Sequence, residues 1–121
     1  MQNIRIKNLR TFVAAKDYNH SRNFYKKLGF EETYHAEDLS VFRIGDYSFY
    51  LQNYYNKDWA ENTMLLLEVN DVDAFWEHLL SLNLEAAFPA IRMRKPMTEK
   101  WGRECHLVDP AGVLWHFASF N

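Results

Sequence analysis

The sequence predicts an α+β fold in which a unit of strand, helix and further strands occurs twice along one domain. The main observation is an internal repeat: the interval from Asp17 to Asp71 equals the interval from Gly29 to Asn83. Each Asp is a residue type that begins helices, and Gly and Asn are the types that end them. The length of 121 residues suits a single domain.

The first half of the chain predicts one helix among four strands. Asp17 or Asn19 can cap the helix, and Gly29 can end it in the left-handed conformation. The apolar face of the helix is formed by Tyr18, Ser21, Phe24, Tyr25 and Leu28, which follow helical spacing. The predicted strands cover residues 9–16, 30–36, 41–44 and 47–52.

The second half begins after a polar, aromatic linker over 53–62, which has no clear period. An apolar strand is predicted over 64–70, and Asp71 caps a second helix. The stretch 90–102 is basic and contains a proline, so we predict a surface loop over a cleft or a subunit boundary. These assignments divide the domain 1–121 into two modules, about 9–53 and 63–120.

The last predicted strand, 113–117, follows a tight turn at 109–112 and contains one polar residue, His116. Because side chains alternate along a strand, His116 shares a face with Leu114 and Ala118. An imidazole on this apolar face predicts a cavity.

Composition excludes several classes of protein. A net charge of −2 argues against binding to nucleic acid. The single cysteine, Cys105, excludes an internal disulfide and a cysteine-based zinc site. The sequence has neither a run of transmembrane length nor the apolar stretch of a signal peptide, so we expect no membrane partner and a cytoplasmic location.

Several motifs set in the repeat resemble the vicinal oxygen chelate superfamily, which includes glyoxalases, bleomycin-resistance proteins and extradiol dioxygenases. The motifs are residues 21–30, residues 69–72, Trp101-Gly102 and residues 109–112. The resemblance covers nearly the whole chain. It implies two βαβββ modules that form a curved, cleft-bearing mixed sheet with helices on the outer face. It does not select one activity, because the superfamily includes both enzymes and drug-sequestering proteins.

The resemblance also implies four positions for a divalent metal, which correspond here to Arg10, Tyr50, Met64 and His116. Arginine cannot ligate, methionine prefers soft ions, and tyrosine at pH 7 is a protonated phenol. A catalytic metal usually needs about three protein ligands. We therefore expect no metal and no cofactor, as in the metal-free, bleomycin-resistance-like branch. A pair formed by His106 and His116 across the last hairpin is the alternative metal site.

The same positions can instead line a ligand pocket. The predicted ligand-binding residues are Arg10, Phe12, Tyr50, Met64, Trp101 and His116. Strand alternation adds Ala14, Ser48, Gln52, Leu66, Glu68, Leu114 and Ala118 to the same wall. The competing interpretation is a filled cavity, in which Arg10 pairs with Glu68 or His116 bonds Tyr50.

Two functions agree with this pattern. The first is binding of a small, partly aromatic molecule, and Arg10, Arg92 and Arg94 argue against a strongly cationic one. The alternative is a lyase, isomerase or dioxygenase-like enzyme that uses His116 for acid–base chemistry or a non-standard metal site. The sequence leaves the catalytic residues open. We also expect a two-fold homodimer with the linker and the basic stretch at its seam.

Overall fold

The structure, a computed structural model, describes residues 2–121. The first module consists of β1 (Phe12–Ala14), α1 (Tyr18–Leu28), β2 (Glu31–His35), β3 (Leu39–Ile44) and β4 (Tyr47–Gln52). A short helix, α2 (Lys57–Glu61), follows. The second module consists of β5 (Met64–Glu68), α3 (Val72–Ser81), α4 (Leu84–Ala87), β6 (Arg92–Glu99), β7 (Gly102–Val108) and β8 (Leu114–Phe120).

Each module forms its own four-stranded mixed sheet, and the two sheets have equivalent strand orders. The first sheet runs β1-β4-β3-β2 and the second runs β5-β8-β7-β6. The pairs β1–β4 and β5–β8 are parallel, whereas the remaining pairs are antiparallel. The predicted α+β class and the paired βαβββ modules are confirmed.

The repeated residues have the local roles that the sequence indicates. The Asp17 carboxylate accepts a bond from the His20 backbone N–H at 3.1 Å, and Asp71 caps α3 in the same way. Gly29 and Asn83 have φ values of 107° and 50°, which are left-handed conformations that end helices.

The two modules share a core of aromatic side chains. The Tyr25 ring on α1 packs against Phe49 of the first sheet and Trp115 of the second. The Trp115 indole N–H donates to the Tyr25 hydroxyl at 3.0 Å. The Tyr25 hydroxyl donates to Asp109, in the turn before β8, at 2.5 Å. One helix of the first module is therefore joined to the last hairpin of the second.

The predicted loop over 90–102 is wrong, because β6 occupies most of that stretch as the edge strand of the second sheet. Its pairing with β7 shifts between Arg94 and Met97, so that Pro96 lies at a bulge. Proline lacks a backbone N–H and is tolerated at such positions, and charged residues are typical of exposed edges. The basic composition therefore reflects a sheet edge.

The linker 53–62 contains α2, which the sequence pattern did not predict. Asn56 caps this helix by accepting a bond from the Trp59 backbone N–H at 3.0 Å. The first strand is shorter than predicted, since only Phe12–Ala14 pairs with β4. Within residues 2–121, no helix is both long and apolar enough to cross a bilayer.

Candidate functional site

Three of the predicted ligand-binding residues lie together on the first sheet. Phe12 and Tyr50 are partners in the β1–β4 register, and their rings stack with centroids 4.9 Å apart. The Arg10 guanidinium donates to the Ser48 hydroxyl at 2.7 Å and to the Tyr50 hydroxyl at 3.2 Å. It also lies 5.4 Å from the centre of the Tyr50 ring. We call Arg10, Phe12, Ser48 and Tyr50 the first-sheet patch.

The first-sheet patch combines a positive charge with accessible aromatic surface. Among residues 2–121, no acidic side chain forms an ion pair with Arg10, which is half-buried. The Phe12 side chain is 47% exposed. Within residues 2–121, neither of the pairings that would have filled the cavity forms. Arg10 bonds Ser48 and Tyr50 and not Glu68, and His116 bonds Glu104 and not Tyr50.

A second group of polar side chains lies on the other sheet. His106 and His116 are directly opposite each other on β7 and β8, with ring centroids 4.6 Å apart. Glu104 lies two residues before His106 and therefore on the same face. Its Oε2 is 2.9 Å from Nδ1 of His116, and its Oε1 is 3.2 Å from Nε2 of His106. We call Glu104, His106 and His116 the Glu–His cluster.

The charge state of the cluster follows from its contacts. Burial by itself raises the pKa of the Glu104 carboxyl, but hydrogen bonds from His116 and His106 outweigh it and hold the pKa below its usual value. Glu104 is therefore a carboxylate at neutral pH, and a carboxylate only accepts hydrogen bonds. Nδ1 of His116 consequently carries a proton that it donates to Glu104.

The remaining predicted residues lie apart from the first-sheet patch. Met64 is at the start of β5, pairs with Leu114 and is 65% exposed. Trp101 is in the turn between β6 and β7, where its ring centroid is 5.1 Å from that of Phe120. The structure therefore groups Arg10, Phe12 and Tyr50, and it distributes Met64, His116 and Trp101 over the second sheet.

A groove of about 730 Å³ opens where the two modules meet. Its walls come from both modules and consist of Leu9, Thr11, Ile44, Tyr47, Ser48, Phe49, Leu65, Leu66, Leu67, Glu68, Val69, Asn70 and Trp115. Ser48 also belongs to the first-sheet patch, and Leu66 is the register partner of His116. The groove therefore lies beside both groups of polar side chains, although its wall contains none of the six residues predicted to bind a ligand.

A polar depression beside the start of α1 is less suited to a ligand. Its wall includes Tyr18 and His35, and the Tyr18 hydroxyl already donates to the Ala36 carbonyl at 2.9 Å and lies 2.7 Å from the Ser40 hydroxyl. The Ser40 hydroxyl in turn donates to Glu32 at 2.7 Å. These polar groups satisfy one another, which is the usual state of structural side chains.

The four positions that the resemblance implies for a metal do not fit one here. The Arg10 guanidinium and the Tyr50 phenol are hydrogen-bonded to each other, and neither is a ligand for a hard divalent ion in this state. Met64 offers only a thioether. No reaction step can therefore be derived through a metal at these positions.

Glu104 is not among the site residues that the sequence predicts. The sequence does contain a pattern that could reveal this residue. A symmetric hairpin about the turn 109–112 places His106 opposite His116. Strand alternation then brings Glu104 to the same face. The sequence alone does not assign which face of β7 carries His106, because it predicts a loop over 90–102 directly before this strand.

Paired βαβββ modules with open sheet faces define a class of fold shared by metalloenzymes and ligand-binding proteins. A family model described as the glyoxalase/bleomycin resistance protein/dioxygenase superfamily matches residues 7–117. The chain belongs to this superfamily. No curated protein matches the chain.

Solved structures of bleomycin-binding proteins are similar to this one. The bleomycin-binding protein of Streptomyces verticillus, solved with copper(II)-bleomycin, is 25% identical, with a TM-score of 0.78 over 98% of this chain and 99% of that one. A transposon-encoded bleomycin resistance determinant is 20% identical, with a TM-score of 0.78 over 95% and 99% of the two chains. An antibiotic-binding protein from a Streptomyces species is 20% identical, with a TM-score of 0.76 over 98% and 100%. The resemblance to bleomycin-resistance proteins is confirmed.

Proposed function

We propose that this protein binds a small, partly aromatic molecule at the first-sheet patch, beside the groove between its modules, and holds it without converting it. The observation that carries the proposal is the first-sheet patch. Arg10 is fixed by Ser48 and Tyr50, and it stands beside the exposed ring of Phe12. A fixed donor next to an aromatic surface is how many small-molecule sites orient their ligands.

The ligand we propose is neutral or anionic and has a planar group. Arg10 supplies a positive charge without an acidic partner among the described residues. The groove volume of about 730 Å³ lies within the roughly 300–1,000 Å³ typical of such sites. The similarity to antibiotic-binding proteins supports binding as the function. We propose that Met64 and His116, which neighbour the groove residues Leu65 and Trp115 on β5 and β8, contact a ligand that extends along the groove, whereas a contact from Trp101 stays a prediction.

The proposal is tested by thermal-shift screening of planar aromatic carboxylates, matched neutral amides and matched cationic amines, followed by calorimetry on hits. Arg10→Gln should weaken binding of a carboxylate about 10- to 100-fold, because hydrogen bonds to charged groups contribute about 1.5–3 kcal/mol. Phe12→Ala should weaken it several-fold, since aromatic pairs contribute about 0.5–1.5 kcal/mol beyond buried area.

Tyr34→Ala is the matched control, because Tyr34 is an exposed aromatic residue of the first sheet outside the patch. The Tyr34→Ala variant should bind the carboxylate with the affinity of the wild type. A preference for the cationic amines, or an equal loss in Tyr34→Ala and Phe12→Ala, would contradict the proposal.

The enzymatic alternative is favoured by one contact. A carboxylate that accepts from one imidazole nitrogen orients the ring, as a general base requires, and Glu104 does this for His116. Mass spectrometry of each bound compound after prolonged incubation separates the two functions. Unchanged compound supports binding alone, whereas a product that disappears with His116→Ala supports an enzyme.

A further inference from the structure

We propose that Glu104, His106 and His116 bind one divalent transition-metal ion of the zinc type on the open face of the second sheet. This site shares only His116 with the four positions that the resemblance implies. Its other two ligands lie on β7, and both histidines belong to the same hairpin. The proposal is independent of the ligand proposed for the groove.

The three side chains already converge. One imidazole nitrogen from each histidine and one oxygen of Glu104 all lie within 4.8 Å of one another. Zinc binds nitrogen and oxygen at about 2.0–2.2 Å, so ligand atoms around a tetrahedral ion are separated by roughly 3.3–3.5 Å. Glu104 already contacts both rings, through Oε2 at 2.9 Å to His116 and through Oε1 at 3.2 Å to His106, so either carboxylate oxygen lies close to at least one imidazole nitrogen. Small side-chain rotations would admit an ion.

The donor chemistry selects the class of ion. Two imidazole nitrogens and one carboxylate oxygen suit zinc, nickel, cobalt or copper better than magnesium or calcium, which prefer oxygen ligands alone. A ligating nitrogen needs a free lone pair, so each histidine would bind the ion through its unprotonated ring nitrogen.

The environment of the cluster supports coordination. The side chains of Glu104, His106 and His116 are only 11%, 19% and 21% exposed, so water screens their charges weakly. The remaining exposure leaves the three side chains accessible to an ion from solvent. Three protein ligands leave one coordination position for water or for an oxygen of a bound molecule.

Arg94 acts as a competitor for the site. Its Nη2 lies 3.9 Å from Oε1 of Glu104 and 3.4 Å from Nε2 of His106, so the guanidinium uses the same two groups as the proposed ion. Its side chain is 43% exposed and can turn into solvent. Replacement of Arg94 should therefore strengthen metal binding, which a purely structural role of the cluster would not predict.

The experiment is titration of the metal-depleted full chain with Zn²⁺ by calorimetry, and with Co²⁺ by visible absorption, which reports coordination geometry. The wild type should bind one ion per chain. His106→Ala and Glu104→Gln should each weaken binding by at least about 10- to 100-fold, the loss caused by removing even an outer-shell partner. Arg94→Gln should bind more tightly than the wild type.

His78→Ala is the matched control, because His78 lies on α3 outside the cluster. It should bind Zn²⁺ like the wild type. Circular dichroism before each titration verifies folding, and Glu104→Gln keeps the hydrogen-bonding shape if an alanine variant fails to fold. The proposal is overturned if the wild type binds no stoichiometric ion, if Glu104→Gln binds equally well, or if Arg94→Gln does not bind more tightly.

Discussion

Glu32 shows how contacts of one residue create a pH-dependent part of the stability. Its side chain is 11% exposed. Arg22 donates to both carboxylate oxygens, at 2.7 Å and 2.9 Å, and the Ser40 hydroxyl adds a bond at 2.7 Å. The hydrogen bond from Arg22 is the main cause that lowers the pKa of Glu32 from 4.5 to about 2. The ionised form therefore stabilises the native state.

This pKa predicts that stability decreases in acid. A carboxyl group with a depressed pKa in the folded state contributes its full stabilisation above pH 4.5 and loses it as pH falls from about 4.5 to about 2. The contribution is about 3 kcal/mol at neutral pH. Glu32→Gln should remove it, and urea unfolding at a series of pH values should show a flatter profile for the variant.

Glu31→Gln is the comparison for this prediction, since Glu31 pairs with Arg43 at 2.7 Å but is exposed. Exposed pairs contribute little to stability. Glu31→Gln should therefore keep the acid profile of the wild type. If Glu32→Gln also kept it, the ion pair with Arg22 would not be the source of the pH dependence.

At the scale of elements, Tyr25 joins α1 to the turn that precedes β8. Burial, followed by the charge of Asp109, raises the pKa of the Tyr25 phenol well above its ordinary value, so the group remains a donor. Burial also raises the pKa of Asp109 to about 6, although the bonds from Tyr25 and the turn backbone oppose the increase. The contact between these elements is therefore hydrogen-bonded as well as apolar.

Tyr25→Phe should lower the free energy of unfolding by about 1–3 kcal/mol, the usual cost of leaving a buried polar partner unsatisfied. The substitution leaves the Trp115 indole N–H without its acceptor and removes one donor from Asp109. Differential scanning calorimetry measures the loss. Tyr47→Phe, at an exposed tyrosine, should change stability little, and equal effects of the two substitutions would contradict this account.

At the scale of the whole molecule, exposed apolar side chains favour assembly. Ile4, Ile6 and Leu9 lie close together in the segment before β1 and are 61%, 67% and 94% exposed. Extensive exposed apolar surface commonly marks an interface. The edge strand β6 also has one unpaired side within the described chain. We therefore propose a two-fold homodimer, in which the same surface of each copy is buried.

The dimer predicts a mass twice that of one chain in light scattering at micromolar concentration. Leu9→Asp should shift the population toward monomer, because Leu9 is 94% exposed and would bring a charge into the interface. Lys7→Asp, in the same exposed segment, controls for the added acid. A monomer mass for the wild type would refute the dimer.

The sequence alone determined the features that depend on neighbouring residues. The capping carboxylates of Asp17 and Asp71, the left-handed Gly29 and Asn83, and the apolar helix faces all act within one or two turns, so the paired modules could be predicted. The unsuitability of Arg10 as a metal ligand also follows from residue type alone.

Tertiary structure decided what depends on register and on pairing between distant strands. β6 is a strand because it pairs with β7, a contact that its own basic, proline-containing sequence does not favour. Glu104 joins His106 and His116 only because the β7–β8 register places the histidines opposite each other. A shift of one residue would turn one histidine to the other face, since side chains alternate, so local sequence could not locate this cluster.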